Sequence, residues 1–334
     1  MSRRAAVLAG LGTWLPPRVV DNAELCRRFD TSDEWIRSRT GIRQRHVVEP
    51  GMSTADLAVE AGARALKSAH GCGVDTVVLA TTTPDHPCPA TAPEVASRLG
   101  LAGVAAFDVA AVCTGFVYAL ATGAGLIAAE VAEQVLVIGA DAFSTILDPT
   151  DRSTGAIFGD GAGAVVLRRG LAIELGALGP FDLGSDGEQA GLIMVPAGGS
   201  RQRSTGARAA DSEHYFRMAG KPVFRHAVLR MAASARVALD RAGWTAQDVD
   251  HLVAHQANAR ILRAVGDELD LPPGRVVRNV DTVGNTAAAS IPLALADAVR
   301  DGHLRPGDRV LACAFGGGLT WGSTTLCWPN LDPA

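Results

Sequence analysis

The feature that most constrains the fold is an alternation: short runs apolar on both faces, separated by alanine-rich stretches of helical character. The apolar runs are 76–80, 135–139, 164–167, 251–254 and 310–313, and helices are expected over 54–68, 93–99, 114–132, 223–242 and 257–269. A strand with one solvated face alternates apolar and polar residues, whereas a strand apolar throughout must be covered on both sides. Helices between such strands supply the cover, so the chain reads as α/β with largely buried sheets. The order also recurs. Residues 76–167 run strand, cysteine-bearing turn, long helix, strand, strand; residues 251–326 run strand, helix, a Gly284-Asn285 turn, a helix over 288–300, then strands. Two pseudo-repeated halves, 1–170 and 171–334, are the expected organisation. The segment 182–217, rich in Gly, Ser, Arg and acidic residues, breaks the pattern. It reads either as a solvated excursion or as a cap over a site entrance.

Composition excludes several classes. With 334 residues, 48% hydrophobic and 20% charged, the chain can bury a sizeable core. A weak net charge of −4 argues against a nucleic-acid partner held by bulk electrostatics. The six cysteines form no C-x-x-C pair, which suits a reduced, cytoplasmic protein, and His86-Pro-Cys88 lacks the second half of a zinc site, so no metal is expected. Ser2-Arg-Arg4 superficially resembles a twin-arginine signal. The apolar stretch behind it holds Gly10 and Gly12, and no small-residue cleavage site precedes Pro16-Pro17, so it reads as a first core strand. The apolar stretch 116–137 is broken by Gly123, Gly125, Glu130 and Glu133, as in a buried helix rather than a membrane span.

Cys113 carries the chemistry. It closes a short apolar run, Phe107-Asp-Val-Ala-Ala-Val112, at a small-residue turn that opens an alanine-rich helix. A helix start offers unpaired N–H groups and positive dipole, which favour a thiolate. Downstream stand His255 in His-Gln-Ala-Asn258, Asn285 in Gly-Asn-Thr286, and the glycine run 316–318. A thiol, two side-chain donors and a backbone exposed by glycine are the parts needed for acyl transfer through a thioester. Gly159-Asp-Gly-Ala-Gly163 is no dinucleotide loop: it precedes a strand instead of following one, so tight packing explains it.

These motifs, from Gly10-Leu-Gly-Thr-Trp-Leu-Pro16 to Trp321-Gly322, resemble β-ketoacyl-acyl-carrier-protein synthase III, a condensing enzyme of the thiolase superfamily. The resemblance implies a five-layered αβαβα core, a homodimer, coenzyme A thioesters as substrate with no tightly bound cofactor, and an acyl carrier protein as partner. It makes Cys113, His255 and Asn285 the catalytic set, with the N–H groups of Cys113 and Gly317 as oxyanion hole. Trp35, Arg39, Arg152, Lys221 and Asn258 would bind coenzyme A, although Lys221 stands where the family has asparagine. Phe158, Phe224 and Cys88 would shape the acyl pocket, Cys88 from across the dimer, at a place often phenylalanine in relatives with short primers. Large side chains such as Leu147 or Ile193 could fill the same space. Lys221, Arg225, Arg260 and Arg263 form a candidate docking patch for the acidic carrier. Thiolases carry a second catalytic cysteine where this chain has Ala314; Cys313 is one residue off and on the opposite strand face. The alternative activity on the same fold is transfer of the Cys113 acyl group to an alcohol, amine or carrier.

Overall fold

The structure is a computed structural model that describes residues 4–71 and 73–334; Ser2, Arg3 and Cys72 lie outside them. Among the described residues two main sheets stand back to back. The first contains β1 (Arg4–Trp14), β2 (Thr76–Ala80), β3 (Ala105–Val109), β4 (Gln134–Asp141) and β5 (Gly161–Leu171), in the order β1-β5-β4-β2-β3. The second contains β6 (Leu178–Ser185), β7 (His251–Ala254), β8 (Arg309–Gly316) and β9 (Thr320–Cys327), in the order β7-β8-β9-β6. Strand β2 pairs parallel with β3 and β4, while β5 runs antiparallel to β4 and β1. The second sheet repeats this scheme: β7 is parallel to β8, and β9 is antiparallel to β8 and β6. Where β3 would recur, a single parallel bridge joins Leu252 to Val276.

Helices fill the layers. On the outer face of the first sheet lie α1 (Thr54–Ser68) and α2 (Ala92–Arg98), and their apolar sides share a core with β2, β4 and β5. Between the sheets lie α3 (Gly115–Ala128) and α6 (Ser290–Arg300), packed with both sheets in the central core. On the far side lie α4 (Gly220–Ala242) and α5 (Ala259–Glu268). The result is the αβαβα sandwich. Local signals set the boundaries: Ser53 and Asp56 form a capping box at the start of α1, and Gly243, at φ 70°, ends α4. Gly163 faces Pro292 so closely that a methyl group would lie 2.6 Å from its ring, which accounts for the glycine-rich 159–163 turn as tight packing.

Two expectations change. The helix placed over 114–132 begins instead with a 3₁₀ turn, Val112–Thr114, and stops at Ala128 because Glu130 adopts φ 59°. The break expected at 182 falls four residues late, since Asp182–Ser185 complete β6 against β9. The remainder is not simply a solvated excursion: Ile193–Met194 and Arg217–Met218 pair as a two-strand ribbon that packs inward, while 198–209 stays largely exposed. No helix among the described residues is long and apolar enough to cross a membrane.

Candidate active site

Corresponding turns from the two sheets meet between the layers. Cys113 sits in the 3₁₀ turn between β3 and α3, preceded by Val112 at φ 48°. That conformation costs a β-branched residue roughly 1–3 kcal/mol and persists only where neighbours enforce it. Here Thr114 N–H donates to Ala111 O at 3.0 Å, Thr114 Oγ1 donates to Thr320 O at 3.1 Å, and Thr320 Oγ1 donates to Ala111 O at 3.2 Å. The end of β8 brings Gly316 against the same turn, where a Cβ would lie 2.8 Å from Cys113 N and 2.9 Å from Thr114 N. Only glycine fits.

His255 follows β7 and is held by its N–H on Cys313 O at 2.8 Å, with Nδ1 2.7 Å from Ser290 Oγ at the head of α6. It is 3% exposed, and burial lowers its pKa from 6.5 to about 3, so the imidazole is neutral at physiological pH. Asn285 is placed by its N–H on Ile157 O at 2.9 Å, and its Oδ1 accepts Ala287 N–H at 3.0 Å, which turns the amide nitrogen away from its own turn.

Cys113, His255 and Asn285 line one cavity of about 640 Å³. Trp35, Arg39 and Lys221, all exposed, mark its mouth. Deeper, Phe158 stacks on Phe143 at 4.1 Å between centroids, and Phe216 meets the pair edge-on at 5.0 and 5.2 Å. Phe224, Asn258 and Ile193 complete the parts of the wall anticipated from sequence. Asn258 also caps α5, its Oδ1 accepting the N–H of Arg260 and Ile261 at 3.0 and 2.9 Å.

Two influences oppose each other at the Cys113 sulfur: burial, then the charge of Asp141, push the thiol up, while the helix start favours the anion as it forms. Cys313 is buried among the outer-layer residues of α4 and α5, whereas Ala314 belongs to the central core, so the two face opposite ways as a strand requires.

Other expected residues stand apart from the cavity. Arg152 lies over the Trp35 ring at 5.4 Å from its centroid but does not line the wall, and Gly317 sits just behind Gly316, its α-carbon facing Val112 and Ile193. Cys88 is exposed on the loop after β2. Arg260 is the exception, lining both the cavity and a neighbouring groove of about 680 Å³; Arg263 lines the groove alone, and Arg225 is exposed and borders neither space. Leu147 packs on the aromatic cluster without reaching the cavity.

Sequence reasoning missed Ser290, Asp141 and Phe216, and also Arg37 and Arg278, which join Arg260 and Arg263 in the groove. Only the arginines left a trace in the sequence, as basic residues beside motifs already singled out.

The layers and the opposed turns define the thiolase fold, and comparison with known proteins narrows this. Residues 107–187 match the family described as 3-oxoacyl-[acyl-carrier-protein] synthase III, and 239–328 match its C-terminal family. The chain is 63% identical over 327 residues, 98% of each chain, to β-ketoacyl-[acyl-carrier-protein] synthase III 5 of Streptomyces coelicolor. It superposes on the crystal structure of 3-oxoacyl-(acyl carrier protein) synthase III from Pseudomonas aeruginosa PAO1 with a TM-score of 0.93 at 56% identity, covering 98% of this chain and 100% of that one. The priming β-ketosynthase of the R1128 polyketide pathway superposes with a TM-score of 0.90 at 35% identity, covering 100% of this chain and 98% of that one. The chain belongs to the β-ketoacyl-acyl-carrier-protein synthase III family of condensing enzymes.

Proposed function

We propose that the protein joins an acyl primer to a malonyl unit by decarboxylative Claisen condensation, starting a fatty-acid or polyketide chain. Coenzyme A thioester enters past Trp35, Arg39, Lys221 and Asn258, with Arg152 over Trp35 to hold the adenine. The Cys113 sulfur attacks the acyl carbonyl, the N–H groups of Cys113 and Gly317 receive the oxyanion, and the C–S bond to coenzyme A breaks. The thiol proton leaves with the departing thiolate. Malonyl-carrier protein then docks at Arg260, Arg263, Lys221 and Arg225, the first two in a groove extended by Arg37 and Arg278. Its carboxylate leaves as carbon dioxide, and the electron pair of the broken C–C bond passes into the thioester as an enolate. The enolate carbon attacks the Cys113 thioester, the C–S bond breaks, and the sulfur recovers a proton from solvent. The product is a 3-oxoacyl-carrier protein.

The observation that carries this reading is the orientation of the two donors. Nδ1 of His255 is engaged by Ser290 Oγ, which leaves Nε2 for the cavity, protonated in the tautomer that accepts from Ser290, and Asn285 spends its oxygen on Ala287, leaving Nδ2 for the cavity. Two neutral donors suit an enolate oxygen, whereas plain acyl transfer to an alcohol or amine has no use for both. Phe158 and Phe224 shape the acyl pocket within the protomer, and Cys88 would close a partner's pocket in a homodimer. The halves 1–170 and 171–334 act as nucleophile-bearing and enolate-binding units. The unpaired thiols of Cys26, Cys88, Cys113, Cys313 and Cys327 fit a cytoplasmic setting. Incubation with acetyl-coenzyme A and malonyl-carrier protein should release carbon dioxide and one 3-oxobutyryl-carrier protein per molecule of gas. Acyl transfer without gas would favour the acyltransferase instead.

A further inference from the structure

The two turns that build the site are counterparts. Val112–Thr114 precedes α3 and Ala287–Ala289 precedes α6; both are 3₁₀ turns, and both open on a non-glycine residue at positive φ, Val112 at 48° and Ala287 at 47°. Cys113 therefore corresponds to Ala288. The strands that end against these turns, β4 and β8, are each eight residues long and finish on Asp141 and Gly316. Gly316 presents no side chain to the Cys113 N–H, although a Cβ there would lie 2.8 Å from it. Asp141 does the opposite. Its Oδ2 accepts the Ala288 N–H at 3.0 Å, and its Oδ1 accepts Thr82 N–H at 2.6 Å and the hydroxyls of Thr83 and Thr81 at 3.2 and 3.3 Å. The carboxyl group is buried and each of its oxygens faces a backbone N–H, which can only donate, so both oxygens must accept.

We infer that Asp141 is a positioning residue: its carboxyl group fills the counterpart of the oxyanion site and thereby fixes the turn that aims Asn285. One helix start is left open by Gly316 to receive substrate charge, and the other is closed by an internal carboxyl group. Asn285 Oδ1 is bonded to Ala287 N–H, the residue next to Ala288, so a shift of Ala288 moves the Asn285 amide directly. The inference rests on the enolate role proposed for Asn285. Displacing a catalytic group by about 1 Å costs on the order of 100-fold.

The test is Asp141→Asn, which keeps the shape but turns an NH₂ toward donors. Malonyl decarboxylation should fall roughly 10- to 100-fold, with KM for malonyl-carrier protein little changed, while Cys113 acylation by acetyl-coenzyme A proceeds no slower than in the unaltered protein. Loss of both half-reactions together, or unchanged decarboxylation, overturns the inference. Asn285→Ala runs in parallel: if it decarboxylates normally the enolate assignment fails by itself, and if only Asp141→Asn does, the fault lies with the positioning role. A second measurement needs no variant to fold. In the unaltered, isotopically labelled protein the Ala288 amide resonance should move as the carboxylate is protonated on acidification, Cys113 being the titratable group that shares its field. An Ala288 resonance that stays fixed while Asp141 titrates contradicts the hydrogen bond on which the inference stands.

Discussion

Phe216→Ala should lengthen the acyl chain that the enzyme accepts. The ring is 4% exposed and meets Phe143 and Phe158 edge-on at 5.0 and 5.2 Å, closing the deep end of the cavity. Truncating a buried phenylalanine costs about 3–5 kcal/mol, and the low end applies because one side of this ring already borders open space. The space released opens into the cavity that Cys113 lines, where the proposed function places the primer. If three more methylenes are buried there at about 0.8 kcal/mol each, the gain of about 2.4 kcal/mol is roughly 60-fold in relative kcat/KM. Pentanoyl- and acetyl-coenzyme A differ by those three methylenes. The assay is the ratio of their kcat/KM values in both proteins, with a thermal melt to show that the variant is folded. A folded variant whose ratio is unchanged would refute the view that this aromatic cluster sets chain length.

In the proposed homodimer Cys88→Phe should shift preference toward acetyl, because a phenyl ring would narrow the partner's acyl pocket that Cys88 is proposed to close; an unchanged ranking of acetyl, isobutyryl and hexanoyl donors rules out that gate. Arg260→Glu should raise KM several-fold for malonyl-carrier protein, and added salt should do the same to the unaltered enzyme, as expected where an acidic carrier meets the arginine-lined groove. Stability should depend on pH through His255, whose pKa is about 3 folded against 6.5 unfolded. Below pH 6.5 the unfolded chain binds a proton that the folded chain refuses, so stability falls on acidification, by about 2 kcal/mol at pH 5. Asp141, raised to about 6 by burial, acts in the opposite sense between 3.8 and 6 but is common to both proteins compared, so His255→Asn should show a shallower acid loss in urea melts.

Much of this architecture could be read from residues alone. Strands at 76–80 and 251–254 appear with the expected bounds because a run apolar on both faces admits few alternatives. Helix α1 does too, since its capping box and periodicity agree. Strand β6 was illegible: it lies at a sheet edge, half-buried, and carries Gly, Asp and Ser where a core strand carries Val. The meeting of Cys113, Asn285 and Gly316 at one cavity was legible because glycine and small residues crowd around them, where backbone must approach backbone. The supports were not. Asp141 looks like an ordinary strand-end residue, and its partners Thr82 and Ala288 lie 59 and 147 positions away. Ser290 lies 35 positions from the histidine it orients. Such pairings come from topology, which spacing does not encode. Phe216 was hidden for a related reason, in a segment whose polar composition masks the inward turn of one ribbon.

The central claim, that one cysteine serves two separable half-reactions, is tested most directly by measuring both in two variants. Intact-protein mass after exposure to acetyl-coenzyme A reports loading, and labelled carbon dioxide from malonyl-carrier protein reports decarboxylation. Cys113→Ala should gain no acetyl mass, whereas Asn285→Ala should load normally and lose on the order of 10²–10³ in decarboxylation rate. Acetylation of the Cys113→Ala protein, or full-rate decarboxylation by Asn285→Ala, would contradict the account.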